Sequence, residues 1–312
     1  MKKAILVILL AILSLILFNR FGLANNGFDL SNSSIDKKLI LSGGPAKDGI
    51  PAIDDPKFIL AKNADFLLPS DRVLGLDYRG IIKAYPIKIL NFHEIVNDDF
   101  NDQPVAITFC PLCGSGIAYL REINGKKVTF GVSGLLYNSD VLLYDRETES
   151  LWSQIISTAI SGPLRGQHLK MLTLTHTTWQ DWQKRHPRTL VLSINTGFSR
   201  DYSNNPYDGY ELDRALWFPV VAQDNSRDPK SLIIGIEING RFKGYPFTEL
   251  EKLDAALLDK VAGKKIIINY SKIHQSASIT DENGKLLPTI TTFWFAWHAF
   301  HPTALIFSIE KH

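Results

Sequence analysis

The run Val73-Leu74-Gly75-Leu76-Asp77-Tyr78-Arg79-Gly80 returns later in the chain as Ile233-Ile234-Gly235-Ile236-Glu237-Ile238-Asn239-Gly240. Both are apolar and β-branched up to a turn signal, and both are followed by Tyr-Pro: Tyr85-Pro86 in the first, Tyr245-Pro246 in the second. The pattern reads as a β-hairpin, with strands over 72–78 and 81–85 in the first copy and 232–238 and 241–245 in the second. Two further anchors recur in the same order. Asn124-Gly125-Lys126 is answered by Asn283-Gly284-Lys285, and Trp179, Trp182 and His186-Pro187 by Trp294, Trp297 and His301-Pro302. Three ordered anchors point to a duplication, with one repeat over 70–195 and a second over 230–312.

Outward from the hairpins, strands are expected over 105–109, 117–123, 127–132, 135–144 and 189–194, the second and third joined by Asn124-Gly125. In the second repeat they are expected over 265–269 and 304–309. Short helices fit 178–186, stopped by Pro187, and 247–252. The expected fold is α+β, predominantly antiparallel β-sheet, built from two degenerate internal repeats. Residues 25–69 form an N-terminal extension and 196–229 a loop between the repeats. The paired tryptophans, with His186 and His301, read as packing devices.

The chain has 312 residues, 45% of them apolar and 21% charged, enough for a substantial core and against wholesale disorder. Its net charge of +2 is too balanced for a nucleic-acid partner held by a basic footprint. Lys2 and Lys3 precede an apolar run from Ala4 to Phe18, and Gly22 and Ala24 suit a cleavage site before Asn25. Residues 1–24 therefore read as a signal peptide, or as an N-terminal anchor if uncleaved. Either places the body outside the cytoplasm, periplasmic or secreted, with any membrane attachment through this segment alone.

The repeats differ where chemistry would sit. The first carries Thr108-Phe109-Cys110-Pro111-Leu112-Cys113-Gly114, whereas the second has Ile268-Asn269-Tyr270-Ser271-Lys272 and no cysteine. The first also holds an insert over 131–166. Thiols kept in one half of a duplicated scaffold point to chemistry more than to packing. Three readings of the pair stand. In thiol–disulfide exchange with a small-molecule or protein thiol, Cys110 attacks and Cys113 resolves, although no helix follows to lower a thiol pKa. As a copper or zinc site, the two thiolates need a further ligand. The third is a structural disulfide in a non-catalytic envelope binding or scaffold module.

His93, in Asn91-Phe92-His93-Glu94-Ile95-Val96-Asn97-Asp98, precedes the strand that leads to Cys110 and is the candidate third metal ligand. Glu94, Tyr137, Asn138, Asp140, Trp152 and Gln154 are the expected pocket wall. Over 195–217, rich in Asp, Asn and Tyr, the chain suits a lid carrying Arg200 or Tyr202 over the thiols. No phosphate loop, dinucleotide fingerprint or His-Glu-x-x-His motif is present.

These stretches, with Gly43-Gly44-Pro45, Asp48-Gly49-Ile50-Pro51, Gly134-Leu135-Leu136-Tyr137-Asn138-Ser139-Asp140 and Leu151-Trp152-Ser153-Gln154, resemble the bacterial and archaeal family catalogued as domain of unknown function 3179. The resemblance runs from about residue 40 to the C-terminus. It implies an exported or membrane-anchored protein and treats these motifs as one set, but it implies no reaction.

Overall fold

A computed structural model describes residues 25–309, so the export segment expected over 1–24 lies outside the described residues. Strand outweighs helix, 40% against 12%, and nearly all pairing is antiparallel, as the α+β expectation requires. Among the described residues no helix is long and apolar enough to cross a membrane.

A first unit opens with the hairpin β1 (Arg72–Tyr78) and β2 (Ile81–Pro86), then α1 (Ile87–His93) and the meander β3 (Ile95–Phe100), β4 (Gln103–Cys110) and β5 (Ser115–Leu120). An inserted hairpin follows, β6 (Phe130–Tyr137) and β7 (Asp140–Asp145), with β8 (Leu151–Ser153) beside it. The unit closes with β9 (Thr175–Thr178), α2 (Trp179–Arg185) and β10 (Leu190–Leu192). Here β9 pairs antiparallel with β1, and β10 parallel with β2.

A second unit has the same order without the insert. Its elements are β11 (Leu232–Ile238), β12 (Arg241–Pro246), α3 (Phe247–Leu250), β13 (Leu257–Val261), β14 (Lys264–Ser271), β15 (Ser276–Asp281), β16 (Ile290–Phe293), α4 (Trp294–Phe300) and β17 (Leu305–Ile306). Again one strand, β16, is antiparallel to β11 and another, β17, is parallel to β12. The units are joined through a shared sheet: β16 meets β5 at Thr291 and Gly116, which links β11 and β12 to the first unit's meander.

Packing explains the recurring residues. Gly75 in β1 lies under the Trp182 indole and Gly235 in β11 under that of Trp297, where any Cβ would collide with the ring. Each hairpin also holds one Lys–Asp–Tyr cluster. Lys83 and Tyr85 of β2 meet Asp98 of β3 at 2.8 and 2.5 Å; Lys243 and Tyr245 of β12 meet Asp259 of β13 at 2.6 and 2.8 Å.

Some boundaries differ from expectation. The stretch 135–144 is two strands, because Asn138 and Ser139 both take positive φ (52° and 66°) and reverse the chain as a type I′ turn does. Helix α1 was hidden because its sequence, Ile87-Lys88-Ile89-Leu90-Asn91-Phe92-His93, follows a strand run without a side-chain N-cap.

Candidate functional site

Cys110 ends β4 opposite Ser115 at the start of β5, so Pro111 to Gly114 form the tip of that hairpin. The tip is clamped by the second unit: the Cys113 carbonyl accepts from the Phe293 N–H and the Thr292 hydroxyl, both at 2.8 Å. Gly114, at φ +60°, faces the Phe293 ring at a distance that leaves no room for a side chain. Behind the tip, Gln154 accepts from the Ser115 hydroxyl at 2.6 Å and donates to Thr108 Oγ1 at 2.9 Å. Both cysteines are free and buried, at 1% and 0% exposure.

The Asn138-Ser139 turn brings β7 over the thiols. The Ser139 carbonyl lies 3.4 Å from Cys113 Sγ and 3.8 Å from Cys110 Sγ. Asp140, the next residue, is fully buried, and a carboxylate oxygen and both sulfurs lie within 4.8 Å of one another. Its Oδ2 accepts from the Ile155 N–H at 3.2 Å, while Oδ1 has no hydrogen-bond partner. The Ser139 hydroxyl and the Tyr210 hydroxyl are likewise buried without partners. These groups lie close enough to act on one another, Tyr210 on Ser139 and Asp140 on both thiols, so the site is a cluster of neutral polar groups enclosed in the core.

Burial governs the acidity here. It raises the Asp140 carboxyl to about 7 and the Glu94 carboxyl to about 8, Glu94 being pushed further by Asp140 and held back by the Tyr207 hydroxyl. It also raises both thiols, Cys113 well above the ordinary range. Among the described residues none of these four acids has a Lys, Arg or His as one of the leading causes of its shift.

The remaining residues sort by what they touch. Glu94 takes a left-handed conformation (φ 57°) as it ends α1, and its side chain turns into the acid cluster. Asn138 holds surrounding elements together, donating to the Ala299 carbonyl at 3.2 Å and accepting from the Val221 N–H at 2.8 Å. Trp152 shares the apolar core with the thiols, its indole N–H donating to Asp145 at 2.9 Å. Tyr137 packs edge-on against Phe300.

His93 is not placed as a third ligand. Its Nδ1 is 2.8 Å from the Pro51 carbonyl and its Nε2 is 2.7 Å from the Tyr202 hydroxyl, so both ring nitrogens are engaged. Asp140 stands with the thiols instead. Within the stretch 195–217 the residues beside the site are not the ones expected. Arg200 is exposed and contacts its neighbour Ser199, and Tyr202 reaches His93. The side chains over the acids are Tyr207, whose hydroxyl acts on Glu94, and Tyr210, beside Ser139 and the thiols. Tyr207 and Tyr210 both pack on Trp217, and Lys230 pins the loop by donating to the carbonyls of Tyr210, Asp213 and Ala215.

Comparisons with curated proteins and with solved structures returned no match. The pattern of one family does match, over residues 47–304, a span that takes in the thiol tip, the Asn138-Ser139 turn, the tyrosine loop and most of the second unit. The chain belongs to the family described as Protein of unknown function (DUF3179).

Proposed function

We propose that this is an extracytoplasmic protein that binds one borderline divalent ion, zinc before copper, through Cys110, Cys113 and Asp140. The observation that carries the reading is the convergence of two thiols and a carboxylate oxygen within 4.8 Å, all buried. A cation relieves what burial imposes on these acids, because it replaces their protons and supplies the missing opposite charge. Two sulfurs with one carboxylate suit zinc, whereas Cu(I) prefers an all-sulfur set. Three protein ligands leave a fourth position, on the side of Tyr210 and Ser139. Disulfide exchange is the weaker reading, since a thiol this buried and this weakly acidic is slow to attack a partner. The export assignment rests on Lys2, Lys3 and the apolar run after them. We read the two units as products of one duplication, on the strength of their shared element order and paired Lys–Asp–Tyr clusters.

The test is the intact mass of the chain purified from the periplasm without chelator, first native and then denatured, followed by titration of the reduced protein with Zn²⁺. One equivalent of metal, lost on unfolding and restored by titration, is the expected result. A chain lighter by two hydrogens would hand the site to the redox or staple reading. Reduced protein that takes up no zinc would end the metal reading.

A further inference from the structure

A cavity lies where the two units meet, and it does not involve the thiols. Its volume is about 350 Å³. Positions that correspond between the units line it in pairs: Ile87 and Phe247 begin α1 and α3, Phe109 and Tyr270 precede the last residues of β4 and β14, and Gly114 and Gln275 lie in the two hairpin tips. The wall is therefore largely apolar and aromatic, with Phe293 completing it.

Among the polar side chains of this wall, two from the first unit, Arg72 and His176, have hydrogen-bonding capacity to spare. Arg72 donates Nη1 to the His274 carbonyl at 2.5 Å and Nη2 to the Gln275 carbonyl at 3.1 Å, using two of its five N–H groups. Among the described residues no carboxylate comes within ion-pair distance of it. His176, from β9, is buried, stands edge-on to Phe109, and its Nδ1 has no hydrogen-bond partner. Burial and the nearby guanidinium hold His176 neutral, so it can donate an N–H without adding charge. Glu211 and Glu251 also line the cavity and are exposed; Glu211, and after it Asp181, are the negative charges that act on Arg72, both from beyond ion-pair distance. Lys230 is committed to three loop carbonyls.

A half-buried guanidinium with N–H groups unspent, beside a buried neutral imidazole whose Nδ1 has no partner, in a cavity with an aromatic wall, suits an anion attached to an apolar body. We propose that this cavity binds a small organic carboxylate, its carboxylate on Arg72 and His176 and its apolar part against Phe109, Phe247 and Phe293. An inorganic anion would satisfy the guanidinium but leave the aromatic wall unused.

The experiment is calorimetric titration of the full chain with benzoate, benzamide and inorganic phosphate in parallel. Benzoate should bind one to one, and benzamide and phosphate at least tenfold more weakly. Arg72→Gln should weaken benzoate at least tenfold. Because Arg72 also holds the second hairpin tip, a second variant is needed: Thr248→Trp, at an exposed lining position, should block binding with the melting temperature unchanged. No heat from benzoate up to about 10 mM would overturn the proposal, the range where even weak pocket ligands register. So would equal binding of benzoate and benzamide, or benzoate binding that survives Thr248→Trp.

Discussion

Two hairpin tips of equal length differ in chemistry. Cys110 pairs with Ser115 across one, and Ser271 pairs with Ser276 across the other, with four residues between in each case. Cys113 thus corresponds to His274, whose Nδ1 sits 2.8 Å from Thr178 Oγ1 of the first unit, much as the Cys113 carbonyl meets Thr292 of the second. Each tip packs on the other unit. The difference is overhead: the cysteine tip is roofed by the β6–β7 turn and by Tyr207 and Tyr210, whereas Ile273 at the other tip is 86% exposed. The site therefore depends on what lies over one tip, since both units have a hairpin of this length.

The sharpest way to break this comparison is to exchange its ends. Cys110→Ser or Cys113→Ser should weaken Zn²⁺ binding roughly a thousandfold or more, and Asp140→Asn about 10- to 100-fold. Ser271→Ala and His274→Ala should leave it unchanged, all read by competition with a chromophoric chelator. If altering the second tip reduced zinc binding as much as altering the first, the asymmetry drawn above would be false.

How much of this was legible in the sequence depends on the range of the interaction. The hairpins were, because alternation and turn residues act within a few positions; Leu232–Ile238 was expected at its observed bounds. The cysteine pair was legible as a motif. Its third partner was read as wall, because Asn138-Ser139 lies inside an apolar stretch whose reversal depends on two positive φ angles at residues other than glycine. His93 suggested a ligand because it neighbours Glu94, yet the carbonyl and hydroxyl that satisfy it come from residues 51 and 202. No local pattern encodes those partners. Tyr207 and Tyr210 were noticed only as part of a polar loop, since their place over the acids depends on how that loop crosses the fold.

The Lys–Asp–Tyr clusters sharpen the comparison by burial alone. Asp98 and Lys83 are 5% and 8% exposed, Asp259 and Lys243 19% and 17%. Asp98→Ala strands a buried ammonium and should cost about 3–5 kcal/mol. Asp259→Ala leaves Lys243 with access to water and should cost about 1–2 kcal/mol. Denaturant midpoints would measure both, and equal losses would show that exposure does not set the difference.

Acid should act unevenly on the two Trp–His stacks. Burial lowers His301 from 6.5 to about 4, and lowers the more exposed His186 as well. Between those two values the unfolded chain binds the extra proton, so this contribution is complete above about pH 6.5 and is lost as pH falls toward 4. His301→Gln should therefore reduce the stability lost between pH 7 and pH 4 by up to about 3 kcal/mol. His186→Gln should reduce it by less. Superimposable pH profiles for the wild type and His301→Gln would remove His301 from the account.

The smallest effect concerns a single hydroxyl. In the first unit the Trp182 indole N–H donates to Thr189 Oγ1 at 3.0 Å, and Thr189 also reaches the Ile82 carbonyl at 3.2 Å. Ala304 occupies the corresponding place in the second unit, since each residue follows its His-Pro by two and each N–H donates to that histidine's carbonyl at 3.0 Å. With no hydroxyl there, the Trp297 indole nitrogen is buried without a partner. A buried donor left unpaired forfeits its hydration without recompense, so Ala304→Thr should raise stability by about 1 kcal/mol and Thr189→Ala should lower it by a similar amount or more. Thermal unfolding of the two variants reads both signs. A neutral Ala304→Thr beside a costly Thr189→Ala would mean that Trp297, drawn close to Gly244, has moved out of the new hydroxyl's reach.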